Sequence, residues 1–146
     1  MAVQPAYRDA ERTNNSDRPS KQYRDLNLNF SRHPVTKGLT VLTDAAAVKR
    51  SVRNLVQYGH YEKPFHPEIG SGVRDLLFEN MTPFVANTLA RKIEDTINNF
   101  EPRARLVGVA TTPDFDRNEY KVSIYFYVVN APTELVEVTQ ILERLR

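Results

Sequence analysis

The spacing of the apolar residues changes at one place in this sequence, the triplet Glu101, Pro102 and Arg103. Before the triplet, apolar residues recur every three or four positions, which is typical of amphipathic helices. After it, they alternate with polar residues, which is typical of half-buried strands. Because the residue before a proline avoids the helical region, a helix must stop at Glu101. The sequence therefore predicts an α+β domain in which two to three helices precede a small antiparallel sheet.

Two longer helices and one short helix are predicted before the triplet. Asp44 can cap the first helix, Gly59 can end it, and its apolar face is Val48, Val52, Leu55 and Val56. Thr82 and Pro83 are suited to the N-cap and first turn of the second, whose apolar face is Val85, Leu89, Ile93, Ile97 and Phe100. A short helix ending near residue 80 is indicated by Val73, Leu76 and Leu77.

The strands are predicted from alternation and from turn residues. A short strand is indicated by Leu39, Val41 and Leu42. A hairpin follows the triplet, with one strand facing the core through Val107, Val109 and Thr111 and the next through Tyr120, Val122, Ile124, Phe126 and Val128. Residues 135–145 fit a helix through Leu135, Val138, Leu142 and Leu145, or a strand through Val136, Val138, Thr139 and Ile141. Periodicity leaves both interpretations open.

The chain divides into an extended N-terminal arm, residues 1–37, and a single α+β domain, residues 38–146. The arm has few large apolar side chains, so it cannot bury enough area to form a core of its own. Within it, the segment YRDLNLNF has an aromatic residue at each end and looks able to dock on a surface.

The arm is also basic, which raises the alternative of nucleic-acid binding. The candidate cations are Arg8, Arg12, Arg18, Lys21, Arg24 and Arg32, with Lys49, Arg50 and Arg53. Acidic residues interleave with these cations and the net charge is only +2, so nucleic acid is not the favoured partner.

The residue types and their spacing do not predict a catalytic site or a metal site. The chain has no cysteine, which excludes disulfides and thiolate sites and fits synthesis in a reducing compartment. His60 and His66 each precede a glutamate by two positions, but the spacing matches no zinc motif. A peptidoglycan hydrolase would need two carboxylates flanking a sugar cleft, and the available ones are Glu68, Asp75, Glu79 and Glu101. With no tryptophan to stack on a sugar, hydrolysis is the weaker alternative. We expect no catalytic residue, metal, cofactor, small-molecule substrate or membrane segment.

The triplet itself has two interpretations. Arg103 could simply pair with the end of the preceding helix. Alternatively, Pro102 could hold Glu101 and Arg103 on opposite sides of a rigid joint, as an acid–base pair suited to recognising a partner. The chemistry of the three residues alone favours the first.

Two separated motifs resemble one known family. The first is a Pro-Glu-x-Gly turn before a Leu-Leu-Phe helix, at Pro67, Glu68, Gly70, Leu76, Leu77 and Phe78. The second is the signature Glu101, Pro102 and Arg103. From about residue 40 to residue 146 the sequence resembles the baseplate wedge subunit of contractile bacteriophage tails, a family shared with the type VI secretion baseplate. Some of its members carry a lysozyme-like name.

The resemblance implies a structural protein of the virion tail baseplate, made in the host cytoplasm, and not an enzyme. It implies that Glu101, Pro102 and Arg103 bind the dimeric wedge-core protein, beside other inner wedge proteins. The sheet is expected to resemble the sheath-lacing domain and to offer its edge to the tail sheath protein by strand addition. Residues 136–144 would then form a third strand, and the arm would become ordered on neighbouring baseplate chains.

Overall fold

The computed structural model describes residues 22–145. The strand at Arg24–Leu26 was not predicted, and the helices and strands after it follow the predicted order. The elements are β1 (Arg24–Leu26), β2 (Val41–Thr43), α1 (Asp44–Gln57), α2 (Val73–Leu76), α3 (Pro83–Phe100), β3 (Ala104–Asp114), β4 (Glu119–Val128) and β5 (Ala131–Glu143). The predicted α+β class is confirmed.

The helices bury the apolar faces that their spacing predicts. Helix α3 begins as expected, because Pro83 is in its first turn and the Thr82 hydroxyl accepts a 3.2 Å hydrogen bond from the Val85 backbone N–H. Helix α1 begins differently from the prediction. Its N-cap is Thr43, and Asp44 is the first helical residue, with a left-handed φ of 42°. The Asp44 side chain instead accepts a 3.0 Å hydrogen bond from the Tyr23 backbone N–H, so it anchors the N-terminal segment.

A three-stranded antiparallel sheet, in the order β3-β4-β5, packs its inner face on the helices. Every second residue of the central strand β4 is buried, namely Tyr120, Val122, Ile124, Phe126 and Val128. The last segment is strand β5, which pairs with β4 from Glu119 opposite Glu143 to Val128 opposite Ala131. The strand interpretation of residues 135–145 is therefore the correct one through residue 143.

A β-bulge in β3 overturns one detail of the predicted hairpin. Leu106 pairs with Phe126, whereas Gly108 pairs with Tyr125, so Val107 is an extra residue in its strand. Val107 is 59% exposed, and Leu106 packs against the core. The prediction that Val107 shares the inner face with the residues that follow it is wrong, because simple alternation cannot anticipate an inserted residue.

Strands β1 and β2 form a separate two-stranded sheet beside α1. Arg24 pairs with Thr43, and the hairpin continues through a 3.1 Å hydrogen bond from the Asn27 N–H to the Thr40 carbonyl. Strand β1 belongs to the segment predicted as the arm, and Tyr23 packs on the core of the domain. The segment YRDLNLNF therefore packs on the domain of its own chain. Residues 1–21 of the predicted arm lie outside the described residues, and the boundary after residue 37 stays a prediction.

Candidate partner-binding site

Glu101 and Arg103 contact each other across Pro102, where α3 turns into β3. The Arg103 Nε donates a 2.7 Å hydrogen bond to Oε1 of Glu101, and Nη2 donates a 2.9 Å bond to Oε2. Two parallel N–H···O bonds form a bidentate pair, the strongest arrangement between these two side chains. The turn holds the pair, because the Ala104 N–H donates to the Glu101 carbonyl at 3.1 Å. The expectation that Pro102 keeps the two charges on opposite sides of a joint is wrong.

The outward nitrogen of the Arg103 guanidinium binds a third residue, Asp25 of strand β1. Nη1 lies 3.1 Å from both carboxylate oxygens of Asp25. The guanidinium carbon also lies 5.6 Å from the centre of the Tyr23 ring, within cation–π distance. Arg103 therefore joins the N-terminal hairpin to the junction between α3 and β3.

The electrostatics of this cluster keep both partners ionised. The side chain of Glu101 is only 3% exposed, and burial by itself would raise its pKa. Hydrogen bonds from Arg103 and Ser51 outweigh burial, so the pKa of Glu101 lies below its ordinary value. The hydrogen bonds to Glu101 are also the main reason that the pKa of Arg103 is raised above its ordinary value. A buried carboxylate thus holds a guanidinium that is still one-quarter exposed.

An open groove of about 330 Å³ borders the triplet. One wall consists of Phe100, Glu101, Pro102 and Arg103, and the other walls consist of Ser51, Asn54, Leu55, Tyr58, Lys63 and Ile69. Its lining mixes aliphatic and aromatic surface with the ion pair of Glu101 and Arg103 and with the cation Lys63. This composition suits a protruding side chain of a protein that carries negative charge nearby.

The other candidate residues do not converge. Nδ1 of His66 lies 3.0 Å from Oε1 of Glu68, and Glu62 is 3.5 Å from Arg74. No group of three or more His, Asp or Glu side chains within residues 22–145 could hold a metal ion. In the same part of the chain, no helix combines the length and the apolar character needed to span a bilayer.

A comparison with known protein families finds a match, and the matched region includes the triplet. A family model described as baseplate wedge protein gp25 matches residues 43–133, more than half of the chain. The chain belongs to the gp25 family of baseplate wedge proteins. It is 35% identical over 92 residues to baseplate wedge protein gp25 of Enterobacteria phage T4, covering 63% of this chain and 70% of that protein. The predicted family is confirmed, and the chain is a structural component of a contractile-tail baseplate, whose partners are other baseplate proteins.

Two solved structures share the gp25 fold at low sequence identity. A chain of the anti-feeding prophage baseplate aligns with a TM-score of 0.59 and 22% identity, covering 86% of this chain and 88% of that one. A Geobacter sulfurreducens protein, provisionally named a tail lysozyme, aligns with a TM-score of 0.62 and 17% identity, covering 68% of this chain and 89% of that one. At these identities the two likenesses establish the fold alone.

Sequence reasoning found the triplet of this gp25-family chain but missed Asp25 and Tyr23. They lie 78 and 80 positions before Arg103, and no local pattern connects them to it. The available signal was the segment YRDLNLNF, whose aromatic ends suggested docking without indicating where. In the sequence, nothing distinguishes Asp25 from the other charged residues of the arm.

Proposed function

We propose that this baseplate wedge protein binds the dimeric wedge-core protein through the surface around Glu101, Pro102 and Arg103. We also propose that it sits beside other inner wedge proteins and offers the edge of its sheet to the tail sheath protein. In this proposal the chain is made in the host cytoplasm and acts in the virion tail, without catalytic activity. The observation that carries the first part is the guanidinium of Arg103, held by the buried Glu101 at the rim of the groove.

The three residues of the triplet take different roles. Glu101 is buried and cannot reach a partner, so it acts as a positioning residue for Arg103. Pro102 is exposed and fixes the direction of the chain at the rim of the groove. Arg103 can add a contact to an acceptor oxygen of the partner, because Nη2 has two N–H donors and makes one hydrogen bond, to Glu101. Binding then needs little rearrangement of the site, which favours affinity.

The sheet edge formed by β5 supports the second part of the proposal. No strand within residues 22–145 pairs with the outer edge of this 13-residue strand. The opposite edge is approached by α3, since the Val109 N–H on β3 donates a 3.4 Å hydrogen bond to Oε1 of Glu94. Along β5, a groove of about 720 Å³ lies between Ala45, Ala46, Lys49 and Arg53 of α1 and Glu134, Leu135, Val136, Glu137 and Thr139. An open edge with room beside it suits the addition of a strand.

Binding of the wedge-core protein is tested by reversing one charge of the groove without disturbing the triplet. Lys63 is exposed and lines the groove, so Lys63→Glu should weaken co-purification with the wedge-core protein by about tenfold. Lys121→Glu is the matched control, because Lys121 is exposed on the sheet and does not line the groove. Equal binding by both variants and the unmodified chain would mean that the partner binds elsewhere.

Strand addition is tested by placing charge beside each edge in turn. Leu135 and Ile141 are 49% and 60% exposed on β5, and lysine at either position should reduce the number of sheath tubes seen by electron microscopy. Val107→Lys, on the strand at the opposite edge, should leave the number unchanged. A larger loss with Val107→Lys would assign sheath growth to the β3 edge.

Peptidoglycan hydrolysis would require a general acid with a raised pKa. Of the candidate carboxylates, Glu101 has a lowered pKa, because hydrogen bonds from Arg103 and Ser51 outweigh burial. Glu68 also has a lowered pKa, chiefly through a backbone hydrogen bond and then through His66. Both are therefore poor proton donors near neutral pH. The purified protein should leave the turbidity of a peptidoglycan suspension unchanged, and clearing that disappears in Glu68→Gln or Glu101→Gln would refute this.

Nucleic-acid binding has little support in the cations that the structure describes. Arg50 donates a 2.6 Å hydrogen bond to Asn29, and Arg32 donates a 3.0 Å bond to the Lys37 carbonyl. These side chains stabilise the N-terminal hairpin and its contact with α1. Protein partners that are retained after nuclease treatment would favour the baseplate role, whereas partners lost with the nucleic acid would favour the alternative.

A further inference from the structure

The loop between α1 and α2 exposes two aromatic side chains almost completely. In this aromatic loop, residues 59–69, Tyr61 is 85% exposed and Phe65 is 97% exposed. Both also have left-handed backbone conformations, with φ of 69° and 65°. An aromatic residue rarely adopts that region, because its Cβ crowds the backbone. Two exposed rings on strained backbone add nothing to the core of the isolated chain.

The loop holds this conformation through its own hydrogen bonds. The Tyr61 N–H donates to the Pro67 carbonyl at 3.1 Å, and the Gly59 N–H donates to the Glu62 carboxylate at 2.9 Å. Gly70 closes the base of the loop so tightly that a Cβ there would lie 2.7 Å from the Gly59 carbonyl carbon. The surroundings therefore fix the strained residues, a pattern that is concentrated at functional sites.

The aromatic loop and the groove beside the triplet form one continuous surface. Lys63 and Ile69 of the loop, with Tyr58 just before it, line the same groove as Pro102 and Arg103. A protein that fills the groove must lie next to the loop, and the side chains that contribute most to binding in protein interfaces are often aromatic residues that become buried near the centre of the contact. Lys63 adds positive charge to this surface, whereas the charge of Arg103 is already balanced by Glu101 and Asp25. The charge of Lys63 indicates acidic residues on the partner beside the loop.

We infer that Phe65, with Tyr61 beside it, is an anchor that inserts into an apolar pocket bordered by acidic side chains on the protein that occupies the groove. The inference rests on the proposed function, which identifies that protein as the wedge-core subunit. The backbone of the loop already holds the two rings in an exposed position before binding, so little backbone ordering is left for the association step. The cost of holding this backbone conformation is met when the chain folds, so it does not reduce the affinity.

The test measures binding of the full chain to the purified wedge-core protein by isothermal titration calorimetry. Phe65→Ser should weaken binding about 30-fold, as loss of an interface hot spot does. Phe84→Ser is the matched control, because Phe84 is 78% exposed but begins the 18-residue helix that ends at the triplet, roughly 25 Å away. It should change the affinity less than twofold. Phe65→Gly separates function from stability, since glycine accepts the left-handed backbone: it should melt no earlier than the unmodified chain while binding as weakly as Phe65→Ser.

The outcomes distinguish the inference from the proposal on which it rests. If the unmodified chain binds the wedge-core protein and Phe65→Ser binds equally well, the anchor role is wrong and the proposed function stands. If the unmodified chain does not bind, the proposed function fails and the inference fails with it. A Phe65-dependent dimer in sedimentation velocity would assign the ring to a second copy of the chain. Phe65-dependent pelleting with phosphatidylcholine–phosphatidylglycerol vesicles would assign it to a lipid surface, and either result overturns the inference.

Discussion

Replacing Arg103 with alanine removes a side chain that joins the N-terminal hairpin to the junction between α3 and β3. The variant loses both hydrogen bonds to Glu101, the contacts with Asp25 and the cation–π contact with Tyr23. The side chain of Glu101 is 3% exposed, so its carboxylate is left largely without water or a counter-charge. Loss of a buried charge partner is the main source of destabilisation expected here.

The size of the effect follows from the exposure of each partner. Removing one partner of a fully buried ion pair costs about 3–5 kcal/mol. Because Arg103 is 25% exposed, water can reach part of the vacated space, and we expect about 2–3 kcal/mol for this pair. The side chain of Asp25 is 33% exposed, so its pair adds less than about 1 kcal/mol. The total of about 3 kcal/mol should lower the melting temperature by about 6–12 °C in a chain of this size.

The assay is thermal unfolding followed by circular dichroism, with two comparison variants. Arg103→Lys keeps the charge but loses the planar fork, so its melting temperature should lie between those of Arg103→Ala and the unmodified chain. Arg105→Ala, which changes an exposed arginine two positions later in β3, should change stability by less than about 0.5 kcal/mol. Adding Glu101→Gln to Arg103→Ala should recover part of the loss, because the buried charge is then gone. Melting of Arg103→Ala within 2 °C of Arg105→Ala would refute the reasoning.

Two further predictions concern acid stability and the base of the aromatic loop. Because the pKa of Glu101 is lowered in the folded chain, its contribution should be complete above about pH 4.5 and should disappear as the pH falls through the lower folded value. Urea unfolding should therefore show the difference in stability between the unmodified chain and Glu101→Gln becoming smaller as the pH falls below about 4.5, and a difference that grows with falling pH would contradict this. A Cβ on Gly70 would lie 2.6 Å from the His60 backbone nitrogen, so Gly70→Ala should destabilise the chain by about 1–3 kcal/mol in the same assay. Gly108→Ala is its control, since a Cβ there meets nothing within 4 Å, and equal losses in both variants would show that the close approach at Gly70 is not the cause.

Local signals in the sequence predict much of this fold. The alternation through β4 and the Thr82-Pro83 start of α3 each depend on neighbouring residues alone, and both are confirmed. Features that depend on distant residues are not predictable in this way. The bulge at Val107 is defined by its pairing with β4. The position of Asp25 depends on where a hairpin docks once α3 and β3 exist. The sequence motif identifies the triplet, but it does not predict that the side chains of Glu101 and Arg103 form a bidentate pair.

The ion pair between Asp25 and Arg103 also affects how the chain is made. Asp25 leaves the ribosome 78 residues before its partner, which corresponds to roughly 4–16 s of synthesis at bacterial elongation rates. During that time the N-terminal hairpin has no anchor at the end of α3, and its three-residue strands are too short to be stable on their own. This hairpin is therefore synthesised before α3 and β3 but acquires its contact with Arg103 only after them. A chain interrupted before Arg103 holds that hairpin only through its contacts with α1, such as those of Asp44 and Arg50, so we expect the hairpin to be more open to proteases.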